Sequence, residues 1–505
     1  MPHEPLLARL RVVPETNDAL FSIPVLALRI IPVAKFTTIF MTSLYFNFRI
    51  QLVITGQLES VPQQGRRLGL LSTNPPQAIG NSLVSHWRLG LSFTLSIIIP
   101  SIPAPMSKPL LRIPYTDLPL PSVIAPASAS TLPGAIAALH RFFVAPSPSD
   151  LPASAVVLTG AGLSVASGLA DYRGVKGTYK VNKTYRPIYY PEFLKSHESR
   201  KRYWARSFLG WSNLQKASPN NGHYAIRDLA NLGLIRSVIT QNVDSFHPRA
   251  HPDLPTLELH GYLRAVVCTS CKNEFSRYEF QEKLATLNPK WAELLERALK
   301  SGALDTEDPV ERRFKGLKVN PDGDVDLPDA PYTTFRYPSC PKCLSSPPKN
   351  ADGHQHVVQV DTDGAWKLPS TAGILKPAVV MFGESIDNHI KHTAEEAIDN
   401  AGKLLVVGTS LATYSAWRLV KRAQDRGMPI AIISMGGIRG EDKFFAGMDP
   451  NQEGEQGVRV ALSTDDLLPA LLSALRNDVA PSEAPTQASL QASFGNRGVF
   501  KDMLS

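Results

Sequence analysis

The chain has 505 residues, 43% hydrophobic and 19% charged, with 42 prolines and a net charge of +8 at pH 7. That is enough apolar material for two or three compact units, and it excludes a disordered protein. Residues 1–125 hold ten Lys or Arg against five Asp or Glu, so the remaining chain is nearly balanced; a broad footprint for DNA or RNA is excluded and no nucleic-acid partner is expected.

Residues 60–116 lack Asp and Glu while holding Arg66, Arg67, Arg88, Lys108 and Arg112, a bias shared with organelle transit peptides. A second reading starts the protein at Met106 (MSKPLLRIPYTDLPLP), which would leave the preceding stretch without function. The apolar run Leu89–Pro100 is too short to span a bilayer, and the run from Phe21 to Phe48 is broken by Arg29, Lys35 and prolines, so no membrane span is predicted. Twelve prolines from Pro100 to Pro152 mark an extended connector.

Beyond it, AIAALHRFF from Ala135 reads as a helix, and Ala155–Leu158 as a short buried strand running into Thr159, Gly160, Ala161, Gly162, Leu163 and Ser164. Strand, glycine turn and helix form an arrangement that lets backbone approach a pyrophosphate at a helix N-terminus, although GxG alone is often only a tight turn. Ser167, Gly168, Asp171, Tyr172, Arg173 and Gly174 continue the string. RYWARSFLGW, Arg202 to Trp211, reads as a helix with a core side and a solvated side.

The strand Leu234–Ile239 leads into TQNVDSFH, Thr240 to His247. Amide and carboxylate groups at a strand's end suit a polar carboxamide; they also make capped turns by bonding their own backbone. His247 reads as structural. Glu258, Leu259, His260 and Gly261 follow, and a histidine with a near-neutral pKa can take a proton from a hydroxyl.

The four cysteines fall as Cys268, Cys271, Cys340 and Cys343, two CxxC pairs with none left over. Disulfides in a secreted domain are one reading; the spacing fits a four-thiolate zinc site better, and with it a reducing compartment or organelle matrix. Between the pairs lie 68 residues, including Trp291, the helical AELLERALK and a turn at Asn320–Val325. After Lys376 and Pro377 a strand is expected along AVVMFGE to Glu384, then the strand Lys403–Val407 ahead of Gly408, Thr409, Ser410 and Leu411. A last strand, Ile430–Ile433, ends in Ser434, Met435 and Gly436.

GAGLSVASGLADYRG, TQNVDSFH, ELHG, KPAVVMFGE and GTSL, in this order over about Pro133–Leu475, resemble the sirtuin family. The resemblance implies an α/β fold: a Rossmann-like parallel sheet (133–262 and 372–475) with an inserted small zinc-binding module (about 263–371). These form a catalytic domain at 126–475, flanked by an N-terminal extension (1–125) and a tail (476–505).

It implies NAD and Zn2+ as cofactors. NAD would lie on Gly160, Ala161, Gly162, Ser164 and a loop carrying Asp171, Tyr172, Arg173 and Tyr179. Its nicotinamide end would meet Gln241, Asn242, Val243 and Asp244, and its adenosine end Gly408, Thr409, Ser410, Ser434, Met435 and Gly436. His260 would be the catalytic base, and zinc on Cys268, Cys271, Cys340 and Cys343 would be structural. The sequence departs from the family at Ser434, where Asn is usual, and at Ala170, where Pro is usual.

The implied activity is NAD-dependent deacylation of acylated-lysine protein substrates, bound by backbone pairing at the 378–384 strand edge. Mono-ADP-ribosyl transfer through the same NAD site is the alternative, and a non-catalytic NAD-binding scaffold is a reading of another class. The Asn320–Val325 string and RYWARSFLGW look like class II sirtuins, whose animal members are mitochondrial. The mitochondrial matrix is therefore the expected location, with cytoplasm or nucleus as alternatives.

Overall fold

The computed structural model describes residues 32–33, 36–37, 121, 123–147, 151–181, 185–302, 318–320, 323–327, 330–449 and 451–478. The transit-like bias, the start at Met106 and nearly all of the tail lie outside these. The chain divides into two units, Met1–Ile97 and Ile98–Ser505. Of the first, a two-residue antiparallel pair, Pro32–Val33 with Phe36–Thr37, is described; all that follows concerns the second.

A six-stranded parallel sheet is built from β1 (Ala155–Thr159), β2 (Ile235–Thr240), β3 (Thr256–Glu258), β7 (Lys403–Val407), β8 (Ile430–Ile433) and β9 (Gly457–Val460). Its order is β9-β8-β7-β1-β2-β3. From β1 the chain first builds outward on one side and then, after the insert, returns to build on the other. The strand order therefore reverses between β1 and β7, and the crevice beyond the carboxyl ends at such a point is where ligands bind in open α/β sheets.

AVVLT, KLLVV and IAII are runs of apolar and β-branched residues because both faces of the sheet are covered. On one face Val157, Val238, Leu405, Val407, Ala431 and Ile433 pack against α1 (Leu132–Val144), α3 (Asn221–Asn231) and α8 (Thr464–Asp478). On the other, Val156, Leu158, Ile239, Leu404, Val406 and Ile432 pack against α6 (Asn388–Asp399) and α7 (Tyr414–Asp425).

The insert forms its own core around a three-stranded antiparallel sheet, β4 (Gly261–Cys268), β5 (Glu274–Ser276) and β6 (Leu375–Val379), in the order β6-β4-β5. Trp204 and Phe208 of α2 (His197–Lys216) pack there with Phe280 and Leu284 of α4 (Arg277–Leu287), Trp291 of α5 (Pro289–Lys300), Phe335, Tyr337 and Trp366. The class-marker helix thus supplies core residues. Its Arg206 makes a buried ion pair, 2.7 Å, with Asp324 beside the Gly323 turn.

Two local expectations are corrected. The strand expected through Glu384 stops at Val379, and residues Met381–Glu384 turn back on themselves with Glu384 N–H donating to the Met381 carbonyl. The glycine string after β1 continues as a 3₁₀ segment, Ala161–Ser167, rather than an α-helix, and is ended by Gly168 at φ +82°.

Candidate active site

One cleft of about 1230 Å³ opens at the point where the sheet order reverses. It is lined by Gly160–Gly162, Ser164, Asp171–Arg173, Tyr179, Gln241–Asp244, His260, Gly408–Ser410 and Ser434–Gly436, so every site residue singled out in the sequence except the cysteines faces the same space. Drug-sized ligands use pockets of roughly 300–1000 Å³, so this one has room for a dinucleotide and more.

At its floor two backbone turns touch. Gly162 N–H donates to the Gly408 carbonyl at 2.8 Å, and Gly160 N–H to the Val407 carbonyl at 3.1 Å. A Cβ on Gly162 would sit 2.7 Å from the Gly408 oxygen, and one on Gly408, whose φ is +62°, would sit 2.4 Å from the Leu163 nitrogen. Only glycine allows this approach, and it leaves the floor as bare backbone.

The loop after β2 supplies polar groups already organised. Asn242 Nδ2 donates to the Gly160 carbonyl and to Ser164 Oγ, both at 3.1 Å, and Ser164 Oγ donates to Asp244 at 2.7 Å. Phe246 N–H donates to the other Asp244 oxygen. Burial pushes the Asp244 carboxyl up to about 6 against these bonds. Gln241 is instead a brace: its Nε2 donates to Thr409 Oγ1 and the Thr159 carbonyl, and its Oε1 accepts from Thr413 Oγ1.

His260 is held at both ring nitrogens, with Nδ1 3.2 Å from the Gln241 carbonyl oxygen and Nε2 2.8 Å from Ser415 Oγ. Burial lowers its pKa to about 4, so the ring is neutral at physiological pH. His247 lies behind the glycine turn, buried, its Nε2 2.9 Å from Thr159 Oγ1 and its Nδ1 2.9 Å from His251 Nε2; it does not line the cleft. His223 packs edge-on to it.

One wall is the loop 171–179. Asp171 accepts from Gly174 N–H, and Arg173 lies 5.0 Å from the Tyr179 ring centroid. Arg173 Nε is buried with no hydrogen-bond partner, a donor suited to an anionic ligand. At the far end the Ser434–Gly436 turn is held from behind by Arg459, fully buried in β9. Arg459 donates to the carbonyls of Ser434 and Gly436, both at 2.8 Å, and pairs with buried Glu441.

Sequence reasoning missed Thr413, Ser415, Arg459 and Glu441. Serine and threonine after GTSL carry no signal of their own, and Arg459 in VRVAL reads as an ordinary solvent-facing strand residue. Thr413 and Ser415 follow the Gly408–Ser410 turn into the cleft, while Arg459 and Glu441 brace its Ser434–Gly436 end from behind.

The four cysteine sulfurs lie within 4.8 Å of one another, and Cys268 and Cys271 each sit 3.6 Å from Cys343 and Cys340 respectively. All four are free thiols. A tetrahedron of Zn–S bonds near 2.3 Å has sulfur–sulfur edges of roughly 3.8 Å, so the donor set fits that ion. A hydrogen bond from Cys340 holds Cys268 down at about 4, while the same contact pushes Cys340 up and burial pushes Cys343 up to about 12. The crowded thiols resist ionising together unless a cation joins them.

Residues 160–415 match the Sir2 family. The NAD-dependent protein deacylase SIR4 of Batrachochytrium dendrobatidis is 39% identical over 328 residues, covering 64% of this chain and 90% of that protein. The NAD-dependent protein deacylase SRT2 of Arabidopsis thaliana is 36% identical, covering 57% and 67%. The NAD-dependent protein lipoamidase sirtuin-4, mitochondrial, of Bos taurus is 32% identical, covering 57% and 75%.

Proposed function

The chain belongs to the Sir2 family, and on that footing we propose that it is an NAD-dependent protein-lysine deacylase. The observation that carries the reading is His260, a neutral imidazole lining the same cleft as two touching glycine turns.

NAD, when bound, would supply an anomeric carbon that bonds to the acyl oxygen of the modified lysine as its bond to nicotinamide breaks and nicotinamide departs, and a ribose hydroxyl beside it. The bare backbone of Gly160–Gly162 and Gly408, with the unpartnered Arg173 Nε, would take its phosphates. Asn242, Asp244 and Ser164 hold one another at fixed geometry and would orient the nicotinamide ribose without reorganising. His260 would accept the hydroxyl proton at Nε2, the nitrogen facing away from the Gln241 carbonyl.

The acylated-lysine peptide would lie along β6. Its outer edge has no strand partner among the described residues, and main-chain pairing there would give affinity with little side-chain selectivity. Cys268, Cys271, Cys340 and Cys343 would hold zinc outside the chemistry, since four thiolates leave no open position. The mitochondrial relative in Bos taurus and the thiol-rich site together support a class II, mitochondrial assignment. Among the described residues no helix is long and apolar enough to cross a membrane.

Incubation with acyl-lysine peptides and NAD is expected to release nicotinamide and O-acyl-ADP-ribose. Labelled protein without that product would assign ADP-ribosyl transfer instead. His260→Ala with unchanged NAD consumption would leave only a binding role.

A further inference from the structure

The ring of His260 has two bonded nitrogens and one possible proton arrangement. The Gln241 carbonyl can only accept, so Nδ1 carries the hydrogen and Nε2 the lone pair. The group 2.8 Å from that lone pair, Ser415 Oγ, must then donate. Ser415 lies in the first turn of α7, 155 residues along the chain, and lines the cleft with His260. Its neighbour Thr413 donates to Gln241 Oε1 at 3.0 Å, so the residue whose carbonyl holds Nδ1 also fixes the segment that holds Nε2.

A histidine base is normally kept in one tautomer and rotation by a third group, often a carboxylate. Among the described residues no carboxylate bonds this ring, and the orienting groups are a neutral carbonyl and a neutral hydroxyl. Turning the ring over would replace both nitrogens with C–H and lose both bonds.

We propose that Ser415 is a positioning residue for the deacylation reaction, holding the Nε2 lone pair of His260 towards the cleft until a substrate hydroxyl takes the serine's place. This rests on His260 being the base. Ser415 keeps its own proton throughout: its O–H swings off Nε2 as the incoming hydroxyl donates there, and the only proton transferred is from that hydroxyl to the imidazole. The energy of a single hydrogen bond to a neutral group limits the effect to the geometry of one ring, so Ser415 sets rate rather than NAD affinity.

The test uses the full-length protein and Ser415→Ala. In ¹⁵N-histidine spectra without ligand, with the His260 signal assigned by its absence in His260→Ala, the wild type is expected to show a single Nδ1–H tautomer with a hydrogen-bonded Nε2, and Ser415→Ala the same tautomer with its Nε2 resonance moved to that of an unbonded lone pair. The same variant should lower kcat on the order of ten-fold with KM for NAD within about two-fold. Unchanged ¹⁵N shifts in Ser415→Ala, or a wild-type kcat, overturn the inference. If His260→Ala keeps its activity, the base assignment itself fails; if His260→Ala is inactive while Ser415→Ala behaves as wild type, only the role of Ser415 fails.

Discussion

The floor of the cleft turns on single hydrogen atoms. Gly408→Ala must place a side chain at φ +62° and 2.4 Å from backbone, so it should cost about 2–3 kcal/mol of stability and abolish ADP-ribose binding. Thermal melting and calorimetric titration check this, and a variant that melts and binds as wild type would refute the contact. His260 makes a second prediction. Its pKa is lowered to about 4, so protonation, which would remove the proposed base, sets in only well below the ordinary 6.5. The acid limb of kcat/KM for the free enzyme should accordingly lie below pH 6.5; an acid limb at or above it would mean that the ring is solvated or paired with an acid.

At this scale the motifs told where His260, Asn242 and Asp244 would meet, because each sits at the end of a strand whose position the family resemblance implies. Ser415 and Arg459 were invisible. A serine is noted only by what it bonds, and a lone arginine in a strand is by default exposed.

Among the elements, β6 shows what periodicity cannot decide. AVVM is a continuous apolar run, which suits a buried parallel strand and equally an antiparallel edge strand against β4. The glycine string after β1 lacked the third glycine of a dinucleotide helix, and Gly168 at φ +82° ends it after two tight turns. Between β1, α3 and the short helix Phe246–Ala250 lie three buried, neutral imidazoles. Burial holds His223 down at about 3 and His251 at about 4, and lowers His247 as well.

Histidines depressed in the folded state bind more protons unfolded. Their full stabilisation is present above the unfolded value near 6.5 and drains away as pH falls towards 4. The unfolding free energy from urea titration should therefore drop across that window, by up to about 1.4 kcal/mol per pH unit for each histidine. A flat profile between pH 6.5 and 4 would show that the cluster is hydrated.

For the whole molecule, the parallel sheet was implied by the family resemblance, whereas the packing of the insert was not readable, since its core draws on Trp204, Trp291 and Trp366 from distant segments. That core is separate from the two that cover the parallel sheet. Chelation should remove one zinc per chain and speed amide exchange in β4–β6 while β1 and β7 stay protected. Activity should fall with it, since the Val380 N–H donates to the His260 carbonyl and ties the module to the proposed base. Uniform exchange throughout, or none, would contradict two separable cores.

β1 and β7 lie side by side, yet their paired residues, Thr159 and Val407, stand far apart along the chain. A ribosome-bound intermediate that has emerged only as far as the insert has half of the proposed phosphate cradle and an unclosed sheet edge. Small-molecule rescue of folding by the dinucleotide can act only late in synthesis, after Gly408 has arrived, and until then the exposed flank of β1 is what a chaperone would have to shield.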